Sequence, residues 1–379
     1  MKIAMIGPSY PFRGGISHYT TLLYRSLRKS HDVKFYAFKR QYPNWLFPGR
    51  TDRETSSIAL REKEVENILD SLNPLSWLKV FIKIKKFSPE LLILPWWVSF
   101  WTPQFWMISY LVRRSLGIKI LFICHNVVEH EANFITKLCA KLVLKNGTYF
   151  IVHSEEELKN LRFIIPDAKV NKTFHPTYEV FRQNGWDKEK AKAILGISGN
   201  IVLFFGFIRP YKGLKYLIEA LPDILKKVDV TLLIAGEFWK GKSSYLQKIE
   251  ELEIGNRVKI FDEYIPNEEV SLYFSSSDIV VLPYTSVTGS GVVQVALGLN
   301  KPVITSNIGS LPELIEHGKT GYVVNSCNAR EIADAVITFY KENKEQEFVK
   351  NIDSVKEKFS WDRMVETIES FSVDGERIR

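Results

Sequence analysis

Short, fully apolar runs alternate almost throughout the chain with longer stretches whose apolar positions recur every three or four residues. KIAMI precedes GGISHYTTLLYRSL, and LLILP precedes a helical pattern over 103–116. KILFIC precedes NFITKLCAKLVLK, and TYFIV precedes EEELKNLRFI. After Pro176 the rhythm resumes: IVLFF with GLKYLIEALPDILKK, VTLLIAG with SSYLQKIEELE, RVKIF with NEEVSLYFSSS, DIVVLP with an uncharged helix, PVIT with the closing segments. Strands with no polar side must be covered on both faces, which predicts parallel sheets between helix layers. The pattern therefore predicts an α/β chain of two Rossmann-like, doubly wound parallel-sheet domains facing across a cleft, with ligand loops at the carboxyl ends of the strands. The rhythm breaks in HPTYEVFRQNGWDKEK (175–190), so the domains are expected at 1–177 and 178–359.

The uncharged helix raises the first question about chemistry. In YTSVTGSGVVQVALGLNK (284–301) a strand opens into Thr288, Gly289, Ser290 and Gly291. Small residues let a ligand approach the backbone, and a helix start offers free N–H groups and a positive dipole end, a seat for phosphate. A plain strand-to-helix turn would read the same way. A second clue is FFGFIRPYKGLKYLIEALP, where Arg209 and Lys212 follow a buried strand. Two cations at that sheet edge suit a diphosphate, though a solvated loop also carries such residues.

Charge is uneven. Residues 1–175 hold 26 Lys+Arg and 14 Asp+Glu, a balance of +12, and the remainder holds 25 and 29, a balance of −4, giving the formal +8. A basic first half points to an anionic surface. No nucleic-acid module is visible and the cations are interleaved with Trp and Phe, which favours the inner face of a membrane over nucleic acid. In WLKVFIKIKKF (77–87), Lys79, Lys83, Lys85 and Lys86 flank apolar residues, the pattern of a helix lying on lipid or of a solvated amphipathic helix. The uncharged stretch from Leu91 to Val112 is long enough to cross a bilayer, but Pro95 and Pro103 divide it into strand, aromatic loop and helix. That loop is expected to expose Trp96, Trp97, Phe100 and Trp101, either for binding or as core. The N-terminus reads as a first strand and not a signal peptide, and three distant cysteines suggest a reducing compartment, hence the cytoplasm.

Four stretches carry a family resemblance: PSYPFRGGISHYTTLL, ICHNVVEHE, GFIRPYKGLKYLIEA and SVTGSGVVQVALGLNKPVITSNIGSLPELIEHGKTGYVV. Together they resemble the retaining glycosyltransferases of family 4, which have the GT-B fold; FSWDRMVETIESF resembles that family's last helix, crossing back to complete the first domain from about 360. The resemblance implies a nucleotide-diphosphate sugar of UDP or GDP type held by the second domain, a glycan, polysaccharide-precursor or lipid-linked acceptor held by the first, and no cofactor or metal. It implies donor contacts from Gly15, Arg209, Lys212, Gly289, Ser290, Gly291 and Gln294. Catalytic roles fall on His125, Arg209 and Lys212. The acceptor side is Gly14, Ser17, Trp97, Asn126 and Ser154, with His130 a further candidate.

The chain departs from the family in two places. Phe207 stands where the arginine usually follows the glycine, so Arg209 must reach from two positions on. The family's E-x7-E is Ser286 and Gln294 here, and Glu313 belongs to a separate loop. Gln can still bond ribose hydroxyls, whereas Ser is too short to replace a glutamate. A same-face transfer needs no carboxylate nucleophile, so hexosyl transfer remains the main reading. An inactive member binding a glycan, lipid or partner, and a sugar-nucleotide 2-epimerase, are the alternatives. The chain has no G-x-G-x-x-G, Walker loop, G-x-S-x-G, metal-spaced His/Cys cluster or paired carboxylates, which argues against dehydrogenase, NTPase and hydrolase chemistry.

Overall fold

The computed structural model describes residues 1–43, 51–56, 60–128, 133–182 and 185–373. Its contacts divide the chain into two units. Unit 1 is Met1–Glu54, Ala59–His175 and Ser360–Arg379, and unit 2 is Thr55–Ile58 with Pro176–Phe359.

Unit 1 holds a parallel sheet of β1 (Lys2–Gly7), β2 (Asp32–Arg40), β3 (Glu66–Asp70), β4 (Leu91–Trp96), β5 (Lys119–Cys124), β6 (Tyr149–Val152) and β7 (Val170–Lys172), in the order β3-β2-β1-β4-β5-β6-β7. Its helices are α1 (Gly15–Leu27), α2 (Pro74–Phe87), α3 (Thr102–Leu111), α4 (Phe134–Leu144), α5 (Glu155–Ile164) and, from the end of the chain, α14 (Trp361–Val373). Strand alternation divides the core. Ile3, Met5, Ile93 and Leu121 pack under α1 and α14, while Ala4, Ile6, Leu92 and Phe122 pack under α2 to α5. The apolar-run pattern finds β1, β4, β5 and β6 but passes over β2, β3 and β7. The last two are the sheet edges, half exposed, and need no continuous apolar run.

The uncharged stretch after Leu91 forms β4, a short 3-10 turn (Ser99–Trp101) and α3, with Pro103 in the first turn of α3. No helix among the described residues is long and apolar enough to cross a membrane. The expectation of an exposed aromatic loop is overturned for two of its rings. Trp96 is 2% exposed and Trp101 is wholly buried, while Trp97 and Phe100 are half-buried against the same core. Trp101 lies 4.3 Å from Phe38 and 3.6 Å from Trp97, ring centre to ring centre. A Trp shed from a strand end gains more by folding over the open sheet edge than by standing in water.

Unit 2 repeats the plan with β8 (Asn200–Phe205), β9 (Val230–Ala235), β10 (Val258–Phe261), β11 (Ile279–Leu282), β12 (Val303–Ser306) and β13 (Gly321–Val324), in the order β10-β9-β8-β11-β12-β13. Around them lie α6 (Lys188–Leu195), α7 (Leu214–Leu225), α8 (Lys242–Glu251), α9 (Asn267–Ser276), α10 (Gly291–Gly298), α11 (Leu311–Leu314), α12 (Ala329–Lys341) and α13 (Glu345–Val355). Every pairing in this sheet is parallel. The buried carboxylate of Asp278 fixes its base, accepting from the Ile201 amide (2.6 Å) and the Tyr340 hydroxyl (2.9 Å).

Candidate functional site

In unit 2 the sheet is built outward in one direction from β8 and in the other from β11, so those adjacent strands form its switch point and their loops emerge side by side. The loops interlock. Thr285 N donates to Tyr211 O at 2.7 Å, and Gly213, at φ +70°, lies so close to Pro283 that a Cβ would stand 1.8 Å from its carbonyl oxygen. Only glycine fits there. The glycines of the second loop differ. A Cβ at Gly289 would meet only Ser310 Oγ at 3.5 Å, and one at Gly291 only Tyr178 at 3.6 Å. The protein's own packing does not demand glycine at either position, so what it provides is open backbone.

Lys212 is buried (8% exposed), and its Nζ and the Val292 side chain each lie 3.1 Å from where a Gly206 Cβ would stand. That puts the ammonium close to the first turn of α10. Burial, and then the charge of Arg209, push its pKa down to about 8, so it stays mostly charged at neutral pH. Arg209 is exposed, its guanidinium 5.0 Å over Tyr211 and 5.2 Å over Trp239. No ion pair with a carboxylate is found for either cation among the described residues. Ser290 caps α10 weakly, accepting from Val293 N at 3.4 Å. The helix's other leading amides lack acceptors within it. One turn in, Gln294 is 1% exposed and neither end of its amide has a partner. A sealed core seldom keeps such a group, whereas a hydroxyl-bearing ligand would use both ends. Ser286 and Glu313 are half-exposed.

The carboxyl edge of unit 1 gathers other chemistry. Gly14 takes φ +110°, and a Cβ on Gly14 or Gly15 would meet nothing within 4 Å. Ser17 is buried in the first turn of α1, its carbonyl accepting from Thr21 Oγ1 at 2.8 Å. Asn126 donates from Nδ2 to the Trp97 carbonyl at 3.3 Å. Ser154 is already used by the fold: it is 1% exposed and its Oγ caps α5 by accepting from Glu157 N at 3.2 Å. His130 lies outside the described residues.

His125 does not stand alone. Its ring is 4.5 Å from Tyr19, 5.3 Å from His153 and 6.0 Å from His175, and the latter two are 5.4 Å apart. His153 holds the Thr173 carbonyl through Nδ1 at 2.9 Å, and its Nε2, like that of His125, is buried without a hydrogen bond. Burial, then the neighbouring imidazoles, lower the His125 pKa well below the usual value, and burial brings His153 to about 4. Both rings are neutral at pH 7. Nearby, burial raises Glu157 to about 7, although the Val127 amide donates to it. Tyr19, His153 and His175 were missed in the sequence. The available signal was positional: His125 and His153 directly follow the apolar runs of β5 and β6, and His175 comes shortly after β7. Among the described residues no three such groups are placed to hold a metal ion.

Two doubly wound parallel sheets in series are the architecture of the GT-B proteins. The Anabaena HepE protein, solved in complex with UDP, is 19% identical to this chain and matches it with a TM-score of 0.75 over 98% of this chain and 100% of that one. The chain has the GT-B fold, and its residues 187–355, within unit 2, match the model of the family described as glycosyl transferases group 1. Spore coat protein SA of Bacillus subtilis (strain 168) is 28% identical over 209 residues, covering 52% of this chain and 54% of that protein. The D-inositol 3-phosphate glycosyltransferase of Corynebacterium glutamicum (strain R) is 24% identical over 231 residues, covering 55% and 52%. The chain thus spans about half the length of the curated relatives it matches.

Proposed function

We propose that this chain is a retaining glycosyltransferase that moves a hexose from a nucleoside-diphosphate sugar to a glycan, polysaccharide-precursor or lipid-linked acceptor. The observation that carries the reading is Lys212, a buried lysine with no carboxylate partner, its ammonium 5.6 Å over the Tyr284 ring at the switch point of unit 2 and close to the first turn of α10. A cation kept out of water with no carboxylate beside it is costly unless an anion completes it. Arg209 and the amides of Gly289, Ser290 and Gly291 supply the rest of a diphosphate seat. Gln294 takes donor hydroxyls in place of a glutamate. The HepE protein has also been solved with UDP-glucose, which supports a uridine donor as the first to try.

In the reaction, the bond from the anomeric carbon to the diphosphate oxygen breaks with its electron pair leaving on the phosphate. The acceptor oxygen bonds to the same face of that carbon, and its proton passes to the departing phosphate oxygen. Negative charge grows on the leaving group, so preplaced cations and amides stabilise the transition state more than the ground state. The side chains meet that charge, and no metal is required of them. In unit 1, Gly14, Ser17, Trp97 and Asn126 are assigned to the acceptor side, and Gly15 to the donor. His125, as a neutral ring, serves as a hydrogen-bonding group for the transferred sugar. Ser154 is left to its capping role. The three free cysteines support a cytoplasmic location.

Calorimetry with UDP and GDP in the presence of a chelator, followed by turnover assays on a panel of nucleotide sugars, tests the reading. Diphosphate binding that survives chelation and is lost in Lys212→Ala supports it. Absence of binding, or binding indifferent to Lys212, overturns it. Tight binding with no transfer to any acceptor would favour the inactive, ligand-binding alternative.

A further inference from the structure

Helices α2, α3 and α4 are neighbours on one face of the unit 1 sheet, α2 packing on α3 and α3 on α4. Each buries a stripe in the same core: Trp77 and Val80 from α2, Phe105 and Ile108 from α3, Ala140 and Val143 from α4. A surface helix of this kind is ordinarily polar on its outer side. These three are not. Leu75 is 77% exposed, Ile82 56%, Phe134 80% and Ile135 67%, and the partly exposed Trp106 and Tyr110 stack with rings 5.6 Å apart.

Charge on these three helices is equally one-sided, and the acidic residues of this face, Glu155, Glu156 and Glu157, belong to α5 beside α4. The segments PLSWLKVFIKIKKF, TPQFWMISYL, VRRSL and FITKLCAKLVL contain no acidic residue. They carry eight cations: four lysines in α2, Arg113 and Arg114 after α3, and Lys137 and Lys141 in α4. Lys83 is tied to Glu66 at 2.7 Å. On the other face of the sheet α14 bears Asp362, Glu366 and Glu369, while α1 carries no acidic residue.

We propose that the outward face of α2, α3 and α4 is a docking surface for an anionic lipid bilayer. Exposed Leu, Ile and Phe enter the acyl boundary, the Trp106–Tyr110 pair sits at headgroup level, and lysine stems lie along the apolar surface with their ammonium groups on lipid phosphates. Nucleic acid would satisfy the cations but leave the aliphatic side chains in water. Only a lipid interface answers both halves of the pattern. The aromatic anchors are thus not the Trp96–Trp101 loop but two residues one helix further on. This inference rests on surface chemistry and stands whether or not the transfer reaction is as proposed.

Co-sedimentation of the full chain with phosphatidylglycerol-containing vesicles, against pure phosphatidylcholine vesicles, is the test. Binding is expected to the first and not the second, and to weaken as salt rises. Lys79→Glu with Lys86→Glu should lower the partition coefficient by roughly tenfold or more. Leu75→Ser with Ile82→Ser should lower it at every salt concentration. Each variant should keep the unaltered melting temperature within a few degrees and bind UDP as before. The proposal is overturned if the folded chain ignores anionic vesicles, or if the variants bind them as well as the unaltered protein. It is equally overturned if the same substitutions instead abolish self-association in a chain that never binds lipid.

Discussion

Each unit sets a row of rings at the carboxyl ends of three adjacent strands, and the two rows differ in kind. After β5, β6 and β7 come His125, His153 and His175; after β8, β9 and β10 come Phe207, Trp239 and Tyr264. In the second row Phe207 lies 4.7 Å from Trp239 and 6.0 Å from Tyr264, and the exposed Arg209 covers the Trp. In the first row His125 and His153 are neutral rings, packed with His175 around Tyr19. One scaffold has produced a positive edge and a neutral one. Burial alone does not set the sign. It lowers the pKa of Lys212 and of both histidines, but a lysine brought to about 8 stays charged at pH 7 while a histidine brought to about 4 does not.

The contrast can be broken most forcefully at its cation. Lys212→Met should cost on the order of 10³-fold in turnover or diphosphate affinity. It should also raise the stability of the unliganded protein by roughly 1–3 kcal/mol, because it removes a buried charge that has no carboxylate partner. A melting curve and a titration on the same sample check both signs at once.

Next comes glycine. Gly213→Ala should destabilise by roughly 3 kcal/mol or more, since its Cβ would enter a carbonyl oxygen and its φ is positive. Gly15→Ala in the other unit, with open space around it, should leave denaturant midpoints nearly unchanged and alter only ligand affinity.

Acid should expose the histidine row. His153 is neutral when folded and has a folded pKa of about 4, below its unfolded value, so the unfolded chain binds more protons between about pH 6.5 and pH 4. Its contribution is present above that window and is lost as pH falls through it, roughly 3 kcal/mol in all. Glu157, raised to about 7, works in the opposite direction, favouring the fold at low pH and losing that contribution as pH rises. Urea midpoints across pH 4–7 in His153→Phe should therefore fall less steeply on acidification than in the unaltered chain. Diphosphate binding to the other edge should instead weaken above about pH 8, as Lys212 loses its proton.

The smallest effect belongs to Gln294→Leu. Removing an amide with no partner should leave stability within about 1 kcal/mol, while donor affinity falls about tenfold. Equal donor affinity would take Gln294 out of the site.

Much of this was legible in the chain. Central strands announce themselves because a strand covered on both faces must be apolar throughout, and glycines between a strand and a helix mark Gly289 and Gly291. Lys212 was legible as a cation near that loop, but not as a buried one. The edge strands β3 and β7 escaped because half-exposed strands carry no continuous run. Trp96 and Trp101 were misjudged because an aromatic loop reads the same whether it folds inward or stands open.

The sequence by itself determined the two parallel sheets, the glycine loops and the uneven charge, since periodicity and composition are local properties of the chain. The tertiary structure alone decided that residues as distant as Tyr19, His125, His153 and His175 share one cluster, that Lys212 lies beside α10 without a counter-ion, and that three acid-free helices turn their apolar sides outward together. Those outcomes depend on which strands become neighbours. Desolvation and charge coupling act through space rather than along the chain.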